Sequence, residues 1–177
     1  MGKYEVVLAG SGGQGLIVAG VLLGLAATRH GLYVAQTQSY GVSARGGYCH
    51  AEAVISEEEI LYPKPAAPDI VVALSEEAFN KFYGKLKDNA LLIYDSDAIT
   101  WSGAKQNVVG YPLTSLTRSS GSLRSLNICT LGVMLAYKEI VPAQVMQDTL
   151  ADFFRGKNSE KNIEIFNKGF DLVGYIN

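Results

Sequence analysis

The sequence predicts an α/β domain of three layers, with a largely parallel sheet between helices. Three observations predict it. An apolar strand pattern at Tyr4–Ala9 runs through a glycine-rich turn into an apolar helical pattern at Leu16–Arg29. Further strand patterns then alternate with helical ones. The 177 residues are 48% hydrophobic and 18% charged, which suits one domain over residues 1–177 with a real core. No internal repeat or linker divides it.

"YEVVLA" (4–9) reads as a buried strand. Leu16–Arg29 is apolar on nearly every side, so this helix is expected to be buried rather than amphipathic. His30 ends it, and Gly31 sits where a C-terminal cap belongs. Tyr33–Thr37 reads as a second strand and completes a β-α-β unit. A loop, "QSYGVSARGG", comes next. Tyr48–Ile55 alternates Cys49, Ala51, Ala53 and Ile55 with Tyr48, His50, Glu52 and Val54, a strand with two different faces. "YPKPAAPD" holds Pro63, Pro65 and Pro68 and is a loop. Asp69–Leu74 and Ala90–Asp95 read as buried strands. Between them Ser75 is placed to cap a helix at Glu76–Leu86 with an acidic first turn. Asn107–Tyr111 is a short last strand. Ser115–Ser125, rich in Ser, Thr and Gly with Arg118 and Arg124, is expected to be a mobile loop. Helices follow at Ser125–Glu139, Pro142–Arg155 and Ser159–Val173, with Pro142 at a first helical position.

Composition excludes several functions. The formal net charge is -2 with no basic run, which argues against nucleic acid as a partner. The longest apolar run, Leu16–Ala27, is shorter than the roughly 20 residues that span a bilayer. The first residues carry neither a secretory pattern nor the Ser or Thr of a myristoylation signal, so neither is expected. Cys49 and Cys129 form no C-x-x-C and no zinc or iron–sulfur spacing. They read as two reduced thiols of a cytoplasmic protein with no metal site.

The turn "GSGGQG" places Gly10, Gly12 and Gly15 in G-x-G-x-x-G spacing, with Gly13 and Gln14 between. In a Rossmann-like unit Gly10 permits the bend, Gly12 lets a phosphate approach the backbone, and Gly15 lets helix and strand pack closely. The amides of the helix N-terminus favour an anion. The other half of a dinucleotide site is missing. The second strand ends "VAQTQSYG", where Gln36 and Gln38 stand in place of a ribose-reading carboxylate. The histidines are His30 and His50, and each fits a structural place. A dehydrogenase would lack carriers for both cofactor specificity and acid–base chemistry.

The loop "SYGVSARGG" lies where α/β folds bind ligands. Gly41, Gly46 and Gly47 allow close backbone approach, and Arg45 offers a planar fork for phosphate or carboxylate. Ser39 and Tyr40 add hydroxyls. The residues alone leave a second reading open: Arg45 pairs with a surface carboxylate, and Gly46-Gly47 only turns the chain.

"GSGGQGLIVAGVLLGLAA", "QSYGVSARGG", "AEAVISEEEILYPKPAAPDIVVALS", "LKDNALLIYDS" and "LNICTLGVMLAY" occur in this order. In them the chain resembles the gamma subunits of 2-oxoacid:ferredoxin (acceptor) oxidoreductases, from Tyr4 to about Gly169. The wording "TQSYG" and the compact size look most like the 2-oxoglutarate branch. The resemblance implies the fold of domain III of pyruvate:ferredoxin oxidoreductase. It also implies a reaction in which thiamine diphosphate attacks a 2-oxo acid and CO2 leaves. Electrons then pass through iron–sulfur clusters to ferredoxin, and coenzyme A takes the acyl group. This sequence has no G-D-G…N motif and no cysteine cluster. Thiamine diphosphate, magnesium and the clusters are therefore expected in alpha and beta subunits, with a delta subunit where one is present.

The resemblance further implies that the gamma domain borders the coenzyme A side of the site. It marks Gly12, Gly13, Ser39, Tyr40, Gly41, Arg45, Gly46 and Gly47 as facing ligand or partner. Asn127 matches the family's asparagine before "LG", with a helix cap as its alternative role. Val42 and Ser43 stand where the family often has Pro-Glu, so position 43 offers no carboxylate. Two other readings stay open: a stand-alone NAD(P)- or FAD-binding enzyme, and a purely structural subunit whose SYG–RGG loop is buried against a neighbour. No residue names the 2-oxo acid.

Overall fold

The computed structural model describes residues 2–40, 46–105, 107–154 and 156–176, with Tyr40, Lys157, Tyr175 and Ile176 as backbone only. Strands β1 (Tyr4–Ser11), β2 (Tyr33–Tyr40), β3 (Tyr48–Ser56), β4 (Ile70–Ala73), β5 (Leu91–Asp95) and β6 (Val108–Tyr111) form one sheet in the order β2-β3-β1-β4-β5-β6. β1, β4, β5 and β6 pair in parallel. β3 runs antiparallel to both of its neighbours, β1 and β2. The sheet is thus largely parallel, with a single strand reversed. Helices are α1 (Leu16–Arg29), α2 (Glu76–Tyr83), α3 (Leu113–Ser119), α4 (Leu126–Tyr137), α5 (Ala143–Phe153) and α6 (Lys157–Ile176).

The central strands read as continuous apolar runs because both faces are covered. Val6 and Leu8 of β1 join Ile70, Val72, Leu91 and Ile93 under α1, α4, α5 and α6. Val7 and Ala9 join Val71, Ala73 and Leu92 against Phe79 of α2. The expected three layers are borne out, but the second helical layer is mainly α2. α4 and α6 cross so closely that a Cβ on Gly169 would lie 2.1 Å from the Cys129 carbonyl oxygen, and one on Gly132 would lie 2.2 Å from that of Phe166.

Four expectations are corrected. The β1-α1-β2 unit does not bring its strands together, because β3 lies between them in the sheet. A hairpin-like return is cheaper to close than a crossover, and the period-two pattern of β3 lets it serve both neighbours. Ser115–Ser125 is not an unstructured loop: α3 and a short 3-10 turn at Leu123–Ser125 run through it. Carboxylates distant in sequence hold that helix start. Asp95, fully buried, accepts from the backbone N–H of Leu113 (3.1 Å) and Thr114 (3.3 Å), and Asp97 accepts from the N–H of Ser115 (2.6 Å). Pro142 precedes α5 as its N-cap, and α2 stops at Tyr83 rather than Leu86. Ser75 caps α2, its hydroxyl oxygen accepting from Ala78 N–H at 3.3 Å.

Candidate functional site

β1 delivers the glycine turn to the carboxyl end of the parallel strands, where open α/β sheets place ligands. Gly15 is the N-cap of α1 at φ 75°, and Gly13 has φ 98°. Both need a residue without a Cβ. Gln14 folds back over the turn. Its Oε1 accepts from Ser11 N–H at 2.7 Å, and its Nε2 donates to the Leu74 carbonyl at 2.9 Å. A Cβ on Gly10 would meet that Oε1 at 2.3 Å. Gly10 therefore makes room for Gln14, which ties the turn to the strand end after β4.

Gly12 joins the turn to the second motif. Its N–H donates to the Gly47 carbonyl at 2.8 Å, and a Cβ placed on it would lie 3.6 Å from both Gly46 N and Gly47 O. The neighbour that approaches Gly12 is thus the chain's own Gly46-Gly47 segment. Gly46 has φ 74°. Ser39 is exposed and pairs in register with His50, and the Tyr40 backbone pairs with Cys49. Gly41 and Arg45, with Val42 and Ser43, lie outside the described residues.

Asn127 does not cap its own helix. It is the second residue of α4, and its Nδ2 donates to the carbonyl of Gly15 at 3.0 Å. A Cβ on Gly15 would strike this amide at 2.7 Å. Asn127 is 5% exposed, and its Oδ1 has no hydrogen-bond partner. Among the sequence-marked residues, the structure therefore joins Gly12 to Gly47, Gln14 to Gly10, and Asn127 to Gly15.

Gln36 lies mid-strand rather than at a ribose position. β2 continues to Tyr40, and the Gln36 side chain packs against Gly20 and Gly24 of α1. His50 faces Glu52 (Nε2 to Oε1, 3.5 Å) and lies beside the Tyr48 ring. Burial holds its imidazole below the usual value, and the nearby Lys81 acts in the same direction. Burial also pushes the Tyr48 phenol up to about 12. Lys81 lies over the Tyr48 ring, 3.8 Å from its centre. This cluster next to Gly47 was not singled out from the sequence. The alternation of β3 put Tyr48, His50 and Glu52 on one face, but nothing local placed Lys81 there.

Cys49 and Cys129 are both buried free thiols, and burial pushes Cys129 up to about 12. Neither suits a cluster ligand, which must be a thiolate. Among the described residues no group of His, Cys, Asp or Glu is arranged to hold a metal ion, and no helix is long and apolar enough to cross a membrane.

The family model described as pyruvate ferredoxin/flavodoxin oxidoreductase matches residues 5–172. The chain belongs to this family. Within the pyruvate ferredoxin/flavodoxin oxidoreductase family it is 37% identical to the 2-oxoglutarate synthase subunit KorC of Methanothermobacter marburgensis, across 97% of each chain. It superimposes with a TM-score of 0.85 and 30% identity on the gamma subunit of keto/oxoacid ferredoxin oxidoreductase from Geobacter sulfurreducens, covering 97% of this chain and 96% of that one. The same fold recurs, with a TM-score of 0.89 and 24% identity, in 2-oxoglutarate:ferredoxin oxidoreductase from Magnetococcus marinus. There it matches all of this chain but 32% of the longer one. The gamma-subunit resemblance drawn from the motifs and the oxidoreductase class are thus borne out.

Proposed function

We propose that this chain works as the gamma subunit of a 2-oxoacid:ferredoxin oxidoreductase of the 2-oxoglutarate branch, and that it borders the coenzyme A side of the assembled site. The 37% identity to KorC supports the branch. The recurrence of the fold within a polypeptide three times as long supports work alongside other domains. Alpha and beta subunits carry thiamine diphosphate, magnesium and the iron–sulfur clusters, ferredoxin accepts the electrons, and the assembly is cytoplasmic. The residues of this chain do not fit those cofactors: it has no cysteine cluster, and burial pushes both thiols up, away from the thiolate that a cluster needs.

One observation carries the reading. The N–H groups of Ser11 and Gly12, which a dinucleotide's pyrophosphate would need, already donate to Gln14 Oε1 and to Gly47 O. On this reading the bend holds the Gly46-Gly47 segment rather than cradling NAD(P) or FAD. Arg45 in the SYG–RGG loop then supplies the charge that a coenzyme A phosphate needs.

The test is Arg45→Ala in the assembled enzyme. A raised KM for coenzyme A with unchanged subunit composition is expected. Normal KM with loss of partner subunits would instead make the loop purely structural. The isolated chain should also show no saturable binding of NADH, NADPH or FAD; tight binding of any of these would sink the reading.

A further inference from the structure

β2 lies at one end of the sheet and pairs with β3 alone. In an antiparallel ladder every second residue of such a strand turns its N–H and C=O outward. Among the described residues no other backbone or side-chain group hydrogen-bonds to the β2 backbone. No residue from Tyr33 to Ser39 is fully buried, and Tyr33 is 54% exposed.

Natural sheets blunt such edges with charged side chains, proline, bulges or short strands. β2 uses none of these. Its sequence, YVAQTQSY, has no charge, no proline and no glycine. Its register against β3 runs from Tyr33↔Ser56 to Tyr40↔Cys49 without a bulge. It has 8 residues, whereas β6 on the opposite edge has 4, contains Gly110 and is followed by Pro112. An edge left this open is a template for another strand.

The two faces of β2 define the strand that fits. Val34 and Gln36 lie under α1: a Cβ on Gly24 would come 3.4 Å from Val34 Cγ1, and one on Gly20 would come 2.6 Å from Gln36 Nε2. Tyr33, Ala35, Thr37 and Ser39 alternate with them on the other face, where α2 packs on β1 and β4 instead. The incoming strand therefore needs one face against a helical layer, one open face, and no charge to leave unpaired. A second β2 meets these conditions by symmetry. A two-fold axis normal to the sheet sets the two strands antiparallel and keeps α1 on the same side in both copies. With the axis at Gln36, Ala35 faces Thr37 of the second copy and Tyr33 faces its Ser39. Self-pairing of an uncharged edge brings no like charges together.

We propose that β2 is the contact surface for a second copy of this chain, the two strands pairing antiparallel and joining two six-stranded sheets into one. This goes beyond the function proposed above and does not rest on it.

The test is sedimentation velocity of the full-length chain, without partner subunits, over a concentration series, with amide exchange followed at low and high concentration. A dimer should form reversibly, and amides within Tyr33–Ser39 should exchange more slowly in it. Ala35→Lys and Thr37→Lys each set two cations about 7–8 Å apart across the axis. Each should raise the dimer Kd about tenfold or more. Leu61→Lys and Phe153→Lys, at exposed apolar residues outside β2, should associate as the parent does. Melting curves check that the variants fold; if a β2 variant does not, the exchange data on the parent decide alone. A chain that stays monomeric up to about 0.5 mM would overturn the proposal. So would a dimer that tolerates both β2 lysines, one lost with Leu61→Lys or Phe153→Lys, or β2 amides that exchange equally fast at both concentrations. Coenzyme A takes no part in this assay, so failure here is separate from failure of the coenzyme A reading.

Discussion

The backbone N–H of Gly12 donates to the carbonyl of Gly47 across 2.8 Å, so the two glycine motifs form one structural unit. A glycine with room for a Cβ and one without it respond differently to a methyl group. At Gly12 a Cβ has 3.6 Å to its nearest neighbours, ordinary contact, whereas at Gly10 it meets Gln14 at 2.3 Å. Gly12→Ala should therefore change stability by no more than about 0.5 kcal/mol. Gly10→Ala should cost about 1–3 kcal/mol by displacing Gln14. Urea unfolding of the two variants checks this; equal losses would contradict it.

Gln14 satisfies two backbone groups, Ser11 N–H and Leu74 C=O. Gln14→Leu fills similar space but leaves both unpaired in a part-buried setting. A loss of about 1–3 kcal/mol is expected, with faster amide exchange at Ser11 than in the parent. Unaltered exchange at Ser11 would show that the side chain does not hold the turn.

The α4–α6 crossing should be the least tolerant place in the fold. Gly169→Ala drives a Cβ to 2.1 Å from backbone that cannot retreat like a side chain. A cost of about 3 kcal/mol or more is expected. Gly174→Ala, in the same helix with nothing within 4 Å of its Cβ, should instead be neutral or stabilise by up to about 1 kcal/mol. Melting temperatures that move together in the two variants would refute the close-contact explanation.

Glu5 couples stability to acid pH. Burial by itself raises its carboxyl, but Lys3 and the N–H groups of Ala67 and Ala66 outweigh burial and hold it below the ordinary value of 4.5. The folded carboxyl thus ionises more readily than the unfolded one. Its contribution is fully present above pH 4.5 and is lost as pH falls through the folded value. Glu5→Gln should lower stability near neutrality and flatten the acid limb of a urea-midpoint profile. An acid limb as steep as the parent's would rule Glu5 out as its source. The loop at 66–67 should loosen with it, since both of its amides donate to Glu5 Oε2, at 2.8 and 2.9 Å.

Much of the fold was legible because its signals are local. α1 runs over Leu16–Arg29 as its apolar pattern predicts, with Gly31 at φ 85° behind it. β3 keeps the period-two burial that its sequence alternates from Tyr48 to Ala53, beyond which Val54, Ile55 and Ser56 are all buried. α3 was not legible. Ser, Thr and Gly spell a loop to any local reading, and the helix is held by Asp95 and Asp97 from the end of β5. The site divides in the same way. The glycines and the SYG–RGG motif announce themselves by spacing, whereas Lys81 sits in an ordinary-looking helix until α2 brings it over the Tyr48 ring.

By itself, the sequence determined most of the strands and helices and the faces that β1, α1 and the first part of β3 bury. These follow from periodicity, turn chemistry and residue type, all of which act over a few residues. Only the tertiary structure decided that β3 separates β1 from β2, that Gly12 serves Gly47, and that Asn127 of α4 reaches the Gly15 carbonyl. Such facts depend on which distant surfaces meet. That is set by closure of the whole core, in which many small packing terms must be met together, and no stretch of sequence contains it.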